Sequence, residues 1–145
     1  MKHFLGTQTG RVLFVHLTHG DDILKCVRQA CKEAGITTGI LSSGIGSTRQ
    51  IIYHYPDSLT EKPLDIEVKV DRISELVSMQ GIILEGEPHL HAMLTEKGGG
   101  ICHGAHVEEG CEIMYLCEIS IIEVEGLSLG RRSGKYGGVT HFEEI

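Results

Sequence analysis

The stretch EPHLHAMLTEKGGGICHGAH, Glu87 to His106, carries the reading of this chain. Pro88 to Thr95 alternates His89, His91 and Met93 with Leu90, Ala92 and Leu94, the period of a strand buried on one face. Gly98-Gly99 is a turn signal, because both central positions of a type I′ hairpin turn need φ > 0. A turn centred there pairs Lys97 with Gly100. Counting outward sets His91 opposite His106 and Leu94 opposite His103. Cross-strand partners share a face, and so do His89 and His91, two residues and about 7 Å apart along one strand. Three imidazoles, His89, His91 and His106, therefore gather on one face, and His103 falls on the other. A one-residue slip would exchange His106 for His103.

Imidazole is the commonest metal ligand, and side chains that lean together close on one ion with Zn–N near 2.0–2.1 Å. Three histidines leave one coordination position open, which distinguishes catalytic zinc sites from structural ones. The expectation is one transition metal ion per subunit, Zn2+, on His89, His91 and His106, with water or a small ligand at the open position. Nickel, iron and cobalt also suit three imidazoles. The chemistry that follows is lyase or hydrolase chemistry on a small anionic substrate, with the ion as Lewis acid or activator of its water. An alternative is a ligand-sensing protein whose metal only stabilises the fold.

Outside this stretch the chain reads as one helix among strands. Arg11 to Leu17 is a strand. Gly20-Asp21-Asp22 supplies a capping acid, and Ile23, Val27, Ala30 and Ala34 form one apolar stripe, so a helix covers about 21–34. Gly35 follows where a left-handed residue ends a helix. Thr37–Leu41 is a strand entering a Ser42-Ser43-Gly44-Ile45-Gly46-Ser47 turn, and Gln50–Tyr55 is another, closed by Pro56-Asp57. Leu64–Val70, Glu75–Leu84 and Ile113–Val124 complete about seven or eight strands. The fold class is α+β, a single domain with a mostly antiparallel sheet. Its core spans about 11–125, and Gly126–Ile145 is read as a loop-rich extension.

The 145 residues suit one domain, with 19 Gly and nine His as the excesses. The net charge of −7 disfavours nucleic acid or an anionic membrane as partner. No apolar run approaches a membrane span, and Met1–Gly10 has no apolar region of a signal peptide. Five cysteines with no C-x-x-C spacing suggest reduced, mostly buried thiols in a cytoplasmic protein.

The run from Arg11 through Ser43-Gly44-Ile45-Gly46-Ser47, then Pro88-His89-Leu90-His91-Ala92, then Gly104-Ala105-His106, resembles the PPC domain (plants and prokaryotes conserved) in its stand-alone prokaryotic form. The resemblance covers roughly Arg11 to Glu125. It implies an antiparallel α+β domain assembling as a homotrimer, with metal held by the H-x-H pair and the later histidine, which is His106 here. The fold is similar to that of acetolactate decarboxylase, a zinc enzyme. Plant members carry a DNA-binding AT-hook, so the resemblance implies as the alternative a DNA-associated or regulatory module without enzymatic activity, but this chain has no Arg-Gly-Arg-Pro core. Arg49 matches a recurrent family arginine and is the candidate to bind a carboxylate or phosphate substrate. Glu85, Glu87, Glu108 and Glu109 flank the histidine strands as candidate fourth ligands, imidazole partners or bases. His54 is a further candidate for the cavity, and His16 reads as structural. His3, His19 and His141 carry no signal. Gly44-x-Gly46 lacks the third glycine and the following helix of a dinucleotide loop. Gly130-Arg131-Arg132 reads as a solvated tail.

Overall fold

A computed structural model describes residues 1–60, 63–96, 100, 102–134 and 140–145, with backbone alone at 103 and 105. The strands are β1 (Gln8–Thr18), β2 (Thr38–Pro56), β3 (Asp65–Val70), β4 (Ser74–Leu84), β5 (Glu87–Glu96), β6 (Cys102–Val107) and β7 (Glu112–Glu125), then β8 (Leu129–Ser133) and β9 (Thr140–Glu144). One helix, α1 (Ile23–Ala34), follows β1. Every pairing among the described strands is antiparallel. The first seven strands form one sheet in the order β1-β7-β2-β4-β5-β6, with β3 also on β2. Strand β6 returns to β2 through Tyr53↔Val107 and His54↔His106, so β2, β4, β5 and β6 close on themselves.

Strand β2 runs 19 residues through the segment expected to turn at Ser42–Ser47. The correction has a packing cause. Neither Gly44 nor Gly46 has a positive φ. A Cβ on Gly46 would run into the Leu116 carbonyl and lie 2.7 Å from Cys117 Cα, and one on Gly44 would sit 2.6 Å from Met79 Cε. These glycines let neighbours approach an extended strand, a second use of glycine besides the turn. Register shifts at Leu41/Ser43, Gly46/Thr48 and Thr48/Gln50 bend it.

The helix begins at Ile23, two residues after the expected start at Asp21. Asp22 is the N-cap, its carboxylate accepting from Lys25 N at 3.0 Å and from Gly110 N at 2.7 Å. Gly35 closes it at φ 68°, with Ile36 N–H donating to Cys31 O at 2.9 Å. The buried stripe is Ile23, Leu24, Val27 and Cys31, and Ala30 and Ala34 lie at its half-buried margin. The larger side chains win the core because burial scales with apolar area. They pack with Leu17, Leu41, Ile83, Leu90, Ile113 and Ile121 on the inner face of the sheet.

The outer face stays open. One cross-strand row runs Val12↔Ile122↔Ile40↔Ile82↔His89, across β1, β7, β2, β4 and β5. Phe14, 78 % exposed, belongs to the next row. The expected loop-rich C-terminal extension carries the β8–β9 pair instead, in which Arg131 opposes Phe142. No described helix is long and apolar enough to cross a membrane.

Gly46→Ala should cost about 3 kcal/mol, because backbone must move to admit the methyl. Gly35→Ala should cost about 1 kcal/mol, the left-handed strain alone, since nothing lies within 4 Å of its Cβ position. Denaturant midpoints of the two variants check the order; equal losses would contradict it.

Candidate metal centre

Strand β5 buries Pro88, Leu90, Ala92 and Leu94 and exposes His89 and His91, the expected alternation. The register is His91↔His106 and Leu94↔His103. The Gly98-Gly99 turn itself lies outside the described residues. A two-residue turn with positive φ at both positions does occur at Glu85-Gly86, where it joins β4 to β5.

His106 is the middle of a row of three, with His91 on one side and His54 on the other. His89, His91 and His106 each offer a ring nitrogen, and the three nitrogens lie within 4.8 Å of one another. His89 Nε2 and His91 Nε2 are 3.1 Å apart. Two nitrogens bound tetrahedrally to one ion at zinc distances sit roughly 3.3 Å apart, so this pair already has the spacing a shared ion needs. Ring centroids are 4.6 Å for His89–His106 and 5.0 Å for His91–His106.

Burial, helped by the charges His54, His89 and His91 would carry, pushes His106 down to about 4. His89 is lowered as well, by burial first and then by Arg131, His91 and His54. Both rings are therefore neutral at pH 7 with lone pairs free for a metal, and the donor set fits a transition ion.

His54, a weaker candidate from sequence, stands in the group. Its Nδ1 lies 2.5 Å from Glu108 Oε1, and its ring centroid lies 4.0 Å from that of His106. Glu108 Oε1 is also 3.6 Å from His106 Nε2. Glu108 is thus the flanking acid that reaches the imidazoles. Glu87 and Glu109 bind Arg28, and Glu85 binds Arg132.

Arg49 is not brought to this group. It pairs with Glu112 at 3.0 Å and lines neither cavity beside the histidines. The cation that does line one is Arg131, expected in a solvated tail. Strand β8 brings it back across the sheet, where Nη1 donates to Glu87 O at 3.0 Å and Nη2 to Ile82 O at 2.8 Å. No local pattern signals a contact spanning more than forty residues. The larger cavity, about 670 Å3, is lined by His89, His91, Arg131 and Phe142 among others. A smaller one of about 320 Å3 is lined by His54, Tyr55, His91 and His106.

Of the cysteines, Cys31, Cys111 and Cys117 are buried and none is disulfide-bonded. Burial raises their thiols to about 11, 11 and 12, so they are inert packing groups.

Fold and site together define an antiparallel α+β protein with a cluster of imidazoles on one sheet face. The chain belongs to the Plants and Prokaryotes Conserved (PCC) domain family, whose model matches residues 5–125. Its fold is similar to that of a plant- and prokaryote-conserved protein of Pyrococcus horikoshii (29 % identity, TM-score 0.79, covering 100 % of this chain and 99 % of that one). It is similar also to a metal-containing protein of Archaeoglobus fulgidus (22 %, 0.83, 99 % and 100 %). A third likeness is to a candidate DNA-binding protein of Bacteroides thetaiotaomicron (17 %, 0.78, 97 % and 96 %). None of the curated proteins matches.

The low folded value of His106 makes a pH prediction for metal-free protein. The unfolded imidazole, near 6.5, takes its proton before the folded one does. Stability contributed by the neutral ring is therefore complete above pH 6.5 and lost as the pH falls toward 4. Melting temperature against pH should drop over that window, and His106→Gln should flatten the drop. An equal slope in the variant would contradict the assignment.

Proposed function

We propose that the protein binds one transition metal ion per subunit, Zn2+, through His89, His91 and His106. The observation that carries this reading is the convergence of three ring nitrogens within 4.8 Å, two of them 3.1 Å apart. Imidazoles on strands are fixed donors, and a backbone register holds two of them opposite each other. When bound, the ion supplies Lewis-acid polarisation or an activated water. The open position is served by cavities on either side of His91. This suits lyase or hydrolase chemistry on a small anionic substrate. His54, held by Glu108, sits on the smaller cavity within reach of a proton on a molecule there.

The assembly we propose is a homotrimer, as the family resemblance implies. The open apolar end of the sheet at Val12, Phe14 and Ile122, away from the cavity beside His89, is the kind of surface that oligomers cover. The alternative, a DNA-associated module, draws on what the Bacteroides relative is held to be. The net charge of −7 works against it.

Protein purified without added metal should carry close to one transition ion per chain by elemental analysis, and His89→Ala or His106→Ala should lose it. Chelation should lower the melting temperature. Retention of full metal by both variants would sink the centre. Light scattering should give three times the 15.9 kDa chain mass, and a monomer would remove the trimer. Gel shifts at low salt should show no DNA binding; a complex that weakens steeply with salt would revive the alternative.

A further inference from the structure

The larger cavity holds a cation without a carboxylate contact. Arg131 presents five N–H groups, and two of them donate to the Glu87 and Ile82 carbonyls. Its Nε is buried with no acceptor among the described residues. The acids whose charge it feels, Glu87 and Glu85, are committed elsewhere. Glu87 is held by both Nε and Nη2 of Arg28 at 2.8 and 2.7 Å, and Glu85 by Arg132 at 2.7 and 3.1 Å. A partly desolvated guanidinium with spare donors favours an anion.

Much of the wall around it is apolar. Ile40, Leu41, Ile82 and Phe142 line the cavity with Arg131, and Ser42 and Gln80 add neutral polar groups. An inorganic oxyanion would leave that apolar wall unused. His89 and His91 line the same space.

We infer that this cavity binds an organic carboxylate with a compact apolar body, its carboxylate on Arg131 and its body against Phe142, Ile40 and Ile82. The inference rests on the proposed site in that it names the substrate class and replaces Arg49 by Arg131 as the anion-binding residue. Arg131 is a binding residue that positions the anion beside the imidazoles. The backbone carbonyls of β4 and β5 hold the guanidinium in place, so the site is prepared before a ligand arrives.

Benzoate is the test probe, with benzamide as its neutral isostere, each titrated calorimetrically into the protein as purified and after chelation. Benzoate should bind at least tenfold more tightly than benzamide in both states, and more tightly than inorganic phosphate. Arg131→Gln should remove the preference, Phe142→Ala should weaken benzoate about tenfold, and Arg49→Gln should change neither. Equal binding of benzoate and benzamide by the unaltered protein overturns the inference, and that arm needs no variant to fold. A folded Arg131→Gln that keeps the preference overturns it too, as does phosphate binding as tightly as benzoate. Metal content is read separately. Chelated protein that prefers benzoate but takes up no metal keeps this inference and removes the centre. Metal-loaded protein indifferent to the carboxylate does the reverse.

Discussion

Strand β2 pairs with β7, β4, β3 and β6, and the rest of the molecule depends on its ability to do so. A strand has two edges, so four partners require that it change neighbours along its length. Its first part takes β4 and β7, and Ile51–Pro56 take β3 and β6. Bulges near Leu41, Gly46 and Thr48 supply the bend, and missing side chains at Gly44 and Gly46 let Met79 and Cys117 close on it. Without that bend β6 would not meet β2, and His106 would have His91 as its one cross-strand neighbour.

The histidine cluster is a consequence of the same closure. Packing imidazoles this closely on a partly buried face disfavours a proton on His106 and on His89. The cost falls on His106, at the centre of the row, more heavily than on His89. Neutral rings with convergent lone pairs are what a metal ion requires, so the strain of crowding and the readiness to bind a cation have one origin. Glu108 stands at the far end of the row, against His54, where it steadies that ring.

Much of this was legible in the chain itself. The alternation of Leu90, Ala92 and Leu94 against His89 and His91 is a two-residue period that any strand must turn into two faces. The cross-strand register followed from counting, and it placed His106 rather than His103 opposite His91. Asp22 and Gly35 ended the helix as their backbone chemistry demands. The misreadings have a shared cause. Ser42–Ser47 looked like a turn because glycine serves both turns and close approach, and spacing cannot separate the two. Arg131 looked solvated because a tail and a hairpin folded back over a sheet have the same local composition.

Local periodicity by itself therefore determined most of the strands, the end of the helix and which two imidazoles share a face with a third, because these depend on steric rules a few residues long. Only the tertiary structure decided what surrounds them. It brought His54 and Glu108 to one side, Arg131 and Phe142 to the other, and left Arg49 on Glu112. Those contacts join segments distant in sequence, and they exist because β2 bends and the C-terminal hairpin returns, which no short-range pattern encodes.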